Sequence, residues 1–336
     1  METGGIKIIT FTSLHETEWD EFIENSVNGT FLQCRKFLNY HGDRFVDCSL
    51  MLYREEELVC VCPACVINEN GTKIFWSHKG STFGGLVLAA AEYKAEKVIE
   101  LIKSLKSYLD EQNYAEVYLK ITGHLFSVKE PDLLEYCLWH EGFENLTEIS
   151  TYVDLADCTD DLAANFNRTL RRYRNRWLDA GAEFSELKTI EEISAFYQLL
   201  EDNLGKHGAS PIHTLDELID LKFNRFPDEM VFYGTFLDNE MVAGCLLFKF
   251  IKTKAMHMQY VATSQDIKND LPSPAAFTYY SMMNVTREHD FARISWGTST
   301  FEQGRILNDT LIRFKERVGS RYSQNNTYHW KRGLEK

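Results

Sequence analysis

The chain repeats itself, and no other feature of the sequence constrains its fold as tightly. Tyr114-Ala115-Glu116-Val117 and Phe291-Ala292-Arg293-Ile294 share the order aromatic, alanine, charged, β-branched, at an offset of 177 residues (291 minus 114). Gly142 and Gly319 each close an apolar helical stretch, again 177 apart (319 minus 142). Thr151-Tyr152 and Thr327-Tyr328 follow at 176 (327 minus 151). Three landmarks in the same order and register argue for duplication, and the 336 residues are enough for two domains of about 100–200 residues each.

The local patterns agree with a duplicated unit. Residues 49–53 and 58–62 read as a hairpin around a charged turn, and 230–250 reads as another around Asp238-Asn239-Glu240. A third strand follows in each half, at 73–77 and 254–263. Ile99, Ile102, Leu105 and Leu109 then fall at helical spacing, while Ser273-Pro274 suits an N-cap and first helical turn in the second half. A strand (116–121; 292–297), a helix and a last strand complete each half, and a helix precedes each hairpin, near 16–24 and 190–204. Residues 160–180 read as a further helix, stopped by Gly181. Strands alternating with helices predict an α/β (α+β) chain with a mixed sheet covered by helices.

Composition narrows the function classes. With 44% hydrophobic and 13% aromatic residues, the chain can bury large cores. A net charge of -14 argues against DNA binding by the surface as a whole and leaves only a local basic patch for polyanions. No signal peptide or membrane-length apolar run is present, which predicts a cytoplasmic protein without membrane insertion. Cys60, Cys62 and Cys65 form the one cysteine cluster. It lacks a fourth ligand at metal-site spacing and interleaves with Val59 and Val61, so it reads as buried thiols and no metal is expected.

Several strings carry a resemblance. Asn167-Arg168-Thr169-Leu170-Arg171-Arg172-Tyr173-Arg174 lies between the halves. Gly297-Thr298-Ser299 ends a strand, with Lys315 and Gly319 downstream, and Ser273-Pro274 opens a helix. In this order the chain resembles the FemAB-like and BioF2-like branch of the Gcn5-related (GNAT) acyltransferases. The resemblance implies two tandem GNAT-like domains, at 1–158 and 183–336, joined by a basic helix at 159–182. It also implies transfer of an acyl group from acyl-CoA or aminoacyl-tRNA to an amine of a small molecule or a cell-envelope or polysaccharide precursor. In GNAT folds two neighbouring parallel strands splay apart to admit the donor; here these are 254–263 and 292–297. The donor's phosphates then lie over the helix opening at Ser273, where free N–H groups and the dipole favour anions. No glycine occurs from Asp266 to Phe277, so the glycine-rich pyrophosphate loop of acetyl-CoA enzymes is missing.

Candidate site residues follow. His257 is the expected base, able to take the amine's proton. Alternation places Gln259 on its face of the strand and Tyr260 on the other. Thr298 and Ser299 are expected to polarise the acyl carbonyl. Gln259, Tyr260, Ser273, Arg171 and Arg172 are expected at the donor, the arginines clamping phosphate bidentately. Trp296, His213 and the string Ser77-His78-Lys79-Gly80-Ser81-Thr82-Phe83-Gly84-Gly85 are expected to line the acceptor site, with His78, Gly84 and Gly85 as its key members. Bland readings stand beside these: a satisfied core histidine, Ser/Thr caps, a bulged tight loop, and a solvated arginine face. Two further functions stay open, an aminoacyl-tRNA-dependent FemAB-type peptidyltransferase and a non-catalytic double domain that binds a sugar or peptide. The expected assembly is a monomer or homodimer.

Overall fold

The computed structural model describes residues 5–79, 81–206, 208–267 and 270–333. Gly80, within the glycine-rich string, lies outside the described residues. The chain divides into two compact units, one of Met1–Glu148 with Glu302–Gly304 and Gln324–Lys336, the other of Ile149–Phe301 with Arg305–Ser323.

In the first unit, β1 (Ile6–Thr10), α1 (Glu16–Asn25) and the short α2 (Arg35–Leu38) lead into a long hairpin. Its outgoing arm is β2 (Val46–Asp47) and β3 (Leu50–Arg54); its returning arm is β4 (Glu57–Cys62) and β5 (Cys65–Glu69). Pro63 interrupts the returning arm, because proline donates no ladder hydrogen bond and locks φ. The two portions therefore serve different sheets. The inner portion joins the order β1-β3-β4-β7, with β7 at Val87–Leu88. The outer portion pairs with β6 (Thr72–Trp76) through the Asn70-Gly71 turn, whose positive φ angles suit a tight hairpin. Val59, Cys60, Val61 and Cys62 are buried on both faces of β4, since apolar clusters pack on either side. Helices α3 (Ala95–Glu111) and α4 (Asp132–His140), with β8 (Glu116–Lys120) between them in the chain, share one core cluster with β3, β4, β6, β7 and β8. Val98, Leu101, Ile102, Leu105 and Leu109 of α3 form the stripe that the spacing predicted.

The second unit begins within the strand β9 (Glu144–Asp154), at Ile149, and continues to the basic helix α5 (Arg168–Asp179), which Asn167 caps through Leu170 N–H. It is shorter than the expected 160–180 and falls within this unit. Next come β10 (Glu183–Leu187), α6 (Ile190–Gly205) with the Thr189/Glu192 capping box, and α7 (Leu215–Asp220) with the Thr214/Glu217 capping box. The hairpin β11 (Met230–Leu237) and β12 (Glu240–Phe250) turns at Asp238 and Asn239, both with positive φ. Then follow β13 (Ala255–Thr263), α8 (Ala275–Glu288) and β14 (Arg293–Thr298). A small hairpin, β15 (Thr300–Phe301) and β16 (Ile306–Leu307), precedes α9 (Asp309–Arg317) and the final strand β17 (Arg321–Lys331). The strand order in this unit is β10-β11-β12-β13-β14-β9. Unlike its counterpart in the first unit, β12 runs unbroken, since no proline divides it.

The closing strands do not stay with their own halves, as the sequence had suggested. Residues 150–154 of β9 pair with β14, so the strand that ends the first half of the sequence completes the second unit. Residues 327–331 of β17 pair with β8, so the last strand of the chain completes the first unit. The repeat is nevertheless preserved, because Tyr152 and Tyr328 each lie antiparallel to the second of the two parallel strands.

Candidate acyl-transfer site

Among the described residues each unit holds a parallel strand pair with three register positions. In the first unit these are Ile74–Glu116, Phe75–Val117 and Trp76–Tyr118; in the second they are Ala255–Arg293, Met256–Ile294 and His257–Ser295. What happens past the third pair differs.

In the second unit the strands part. Against β12, Gln259 is an extra residue, because Leu246 pairs with Tyr260 and Leu247 with Met258. Against β9, Trp296 is the extra residue, because Ser295 pairs with Tyr152 and Gly297 with Thr151. A bulge bends its strand and increases local twist. Two bulges, each just beyond His257–Ser295, carry β13 and β14 away from one another and leave a notch whose apex is that pair. Gly297 continues with φ +71, a conformation suited to glycine.

In the first unit the equivalent notch is filled. Ser77 N–H donates to Tyr118 O, Lys120 N–H donates to Ser77 Oγ at 2.7 Å, and Gly84 N–H donates to Lys120 O at 2.9 Å. The chain between turns through His78 in the left-handed region, φ +49. A Cβ on Gly84 would lie 2.2 Å from Ser77 O, and one on Gly85 3.0 Å from Ile121 Cα. The close approach these glycines permit is to their own chain. His78 is buried beside His41, ring centroids 4.8 Å apart. Burial first, and then His41, lower its pKa to about 3, so the ring is neutral.

The expected residues of the second unit spread around the notch in different ways. His257 is 7% exposed, with Nδ1 3.3 Å from Ser295 Oγ; a Cβ on Gly297 would meet its Cε1 at 3.4 Å, so the ring sits where the strands divide. The Gln259 bulge changes the expected alternation. Leu247, Met256 and Met258 share one core cluster, while Tyr260 pairs with Leu246 and His257 with Phe248, on the opposite side. Tyr260 therefore lies on the face of His257 rather than opposite it. Its Oη accepts Ile212 N–H at 3.2 Å and lies 2.8 Å from His213 Nδ1. His213, buried, is held in turn by Tyr197, whose hydroxyl donates to His213 O. Trp296 points into the core, 2% exposed, against Tyr279 at 4.5 Å.

Thr298 and Ser299 meet a residue whose part the sequence reading had not identified. Lys315 Nζ donates to Gly297 O (2.9 Å), Thr298 O (2.8 Å) and Ser299 Oγ (2.9 Å) from a side chain 1% exposed. Burial lowers its pKa to about 7, and the three acceptors favour the charged form. Its signal in the sequence was a lone cation in the apolar stripe of a helix, at i+4 from Leu311 and i−3 from Val318.

At the other end of the notch, α8 opens at Ala275 with Pro274 at the cap, one residue later than expected; Ser273 Oγ accepts Ala275 N–H at 3.4 Å. The loop before it is tied to α5. Arg176 donates to Asp270 O (2.6 Å), and Trp177 Nε1 donates to Pro272 O (2.9 Å). Beside these, Arg168, Arg171, Arg172, Asn175 and Arg176 line a groove of about 820 Å³. Among the described residues, Arg168, Arg171 and Arg172 form no ion pair, whereas Arg174 bonds Asp161 and lies over Tyr280. Among the described residues no group of three or more potential metal ligands converges, and no helix is long and apolar enough to cross a membrane.

A solved structure of FemX superposes on the chain with a TM-score of 0.68, covering 97% of each chain at 14% identity. The chain has the tandem GNAT fold. This GNAT architecture is shared at a TM-score of 0.62 with L-PGS from Bacillus licheniformis (12% identity, 95% and 92% covered). It is shared at 0.55 with a tandem GNAT protein from the clavulanic acid biosynthesis pathway (8% identity, 98% and 100% covered). No protein-family model and no curated protein matches the sequence. The parted strands β13 and β14 are the GNAT splay expected from the resemblance, present in the second unit.

Proposed function

We propose that this chain is an N-acyltransferase that moves an aminoacyl or acyl group from a phosphate-bearing carrier to an amine. The observation that carries this reading is the double-bulged notch after His257–Ser295. It offers two strand edges to an extended donor and a polar apex for its carbonyl. The GNAT fold shared with FemX and the tandem GNAT protein supports it.

The chemistry follows from the groups at the apex. An amine attacking the acyl carbonyl builds negative charge on oxygen, and preorganised donors lower that barrier most. Lys315 holds the carbonyls of Gly297 and Thr298 from beneath, which fixes the strand end and brings positive charge to the notch. Thr298 remains half-buried beside the opening, whereas the Ser299 hydroxyl is engaged by Lys315. Holding donor and amine in line supplies the rest of the rate.

An aminoacyl-tRNA carrier fits better than CoA. A CoA pyrophosphate needs glycine backbone to approach a helix N-terminus. Here the loop before α8 has none, and its backbone is tied to α5 at Asp270 O by Arg176 and at Pro272 O by Trp177. The exposed arginines of α5, by contrast, suit a row of polymer phosphates. The acceptor class that accompanies this reading is the amine of a cell-envelope precursor.

Charged tRNA and acyl-CoA, each titrated against the full chain at 50 and 200 mM salt, test the donor. With four phosphate contacts, tRNA affinity falls roughly a hundredfold over that range, and replacing Arg168, Arg171 and Arg172 by Ala flattens the slope. Binding of acyl-CoA alone, indifferent to those substitutions, would replace the tRNA reading with the CoA one.

A further inference from the structure

The apex contains a serine that neither the repeat nor the resemblance singled out. Ser295 Oγ accepts Gly297 N–H at 3.2 Å and lies 3.3 Å from His257 Nδ1. Ser295 and His257 are the last pair of the parallel ladder, and both are buried, so their geometry is fixed by strand register. A hydroxyl has one proton and two lone pairs. Gly297 N–H fills one lone pair, and among the described residues His257 Nδ1 is the one acceptor within reach of this buried hydroxyl's proton, which is therefore directed there. A neutral imidazole that accepts at Nδ1 carries its proton at Nε2.

Resting on the acyl-transfer reading, we propose that Ser295 is a positioning residue that sets His257 as the Nε2–H tautomer. The imidazole then serves the notch as a hydrogen-bond donor to the acyl carbonyl, and not as the base. The amine nitrogen attacks the carbonyl carbon, a C–N bond forms, and the π electrons pass to the carbonyl oxygen, which receives the Nε2–H hydrogen bond. As the intermediate collapses, the bond from the carbonyl carbon to the carrier's oxygen or sulfur breaks. That atom leaves with the electron pair and, through solvent, takes the proton the amine gives up. His257 ends as it began, so no further reactant is needed. Gly297 completes the device: its N–H holds the Ser295 oxygen in place, and its missing side chain leaves room for the ring.

Long-range 1H–15N spectra of the uniformly 15N-labelled full chain read the tautomer directly, with His257 assigned by its loss in His257→Asn. The expected result is a protonated Nε2 and unprotonated Nδ1 in the wild type, a mixture in Ser295→Ala, and the wild-type pattern again in Ser295→Thr. With charged tRNA added, the His257 Nε2–H signal shifts. In single turnover Ser295→Ala lowers the transfer rate by about tenfold with donor KM unchanged. A wild type protonated at Nδ1, or a Ser295→Ala spectrum identical to it, overturns the assignment. The expected tautomers in a chain that answers to no acyl carrier would keep the role of Ser295 and overturn the acyl-transfer reading instead.

Discussion

Two buried titratable side chains tilt stability the same way with pH, each in its own window. Lys315 is held near a pKa of about 7, below its ordinary value of 10.5, by burial. Between those two values the unfolded chain binds the proton that the native state has released, so stability rises with pH there; below about pH 7 the full cost of burying the cation is present. Urea unfolding midpoints measured from pH 6 to pH 10.5 should therefore rise in the wild type and stay flatter in Lys315→Met. The same variant should lose transfer activity by about a hundredfold or more if the charge at the Thr298 end supports the oxyanion. His78 behaves in the acid range. Its pKa of about 3, against an ordinary 6.5, means the unfolded chain gains a proton first as pH falls, so stability drops from about pH 6.5 toward 3. Asparagine tolerates the left-handed backbone that His78 adopts, so His78→Asn should fold and show a shallower acid slope in the same assay.

The elements were mostly legible in the sequence, and the departures have identifiable causes. Helices α3, α4, α6 and α9 follow their apolar spacing, and the β11–β12 hairpin follows its Asp-Asn turn, because burial and turn chemistry act locally. What the sequence concealed was long-range. The alternation read for His257, Gln259 and Tyr260 assumed a regular strand, and a bulge is fixed by the neighbouring strand rather than by its own residues. The glycines at 84 and 85 signalled close approach correctly but not to what; only the fold shows them against Ser77 and Ile121. Lys315 was visible as a charge in an apolar stripe, yet its three acceptors come from a strand end many residues away. Gly84→Ala tests the filled notch of the first unit. The added methyl meets backbone, which cannot rotate aside, so a loss of about 2–4 kcal/mol is expected in denaturant unfolding. An unchanged midpoint would mean the loop does not seal β8.

For the molecule as a whole, the two similar units differ where their parallel strands end: one notch is open and the other is closed by its own chain. One donor per chain is therefore expected, and isothermal titration giving two equivalent sites would contradict this. The exchange of closing strands also decides which fragments can stand alone. Residues 183–336 lack the 150–154 partner of β14, while 149–323 retain it, so the latter should give the sharper thermal transition and the better-dispersed amide spectrum. Because β17 completes the sheet of the first unit, that unit cannot close until residues 324–331 have been made, after the second unit's residues 149–301. A nascent chain arrested before residue 324 would have α1 to α4 but an unclosed β8 edge, and would stay open to pairing with other chains until β17 is made.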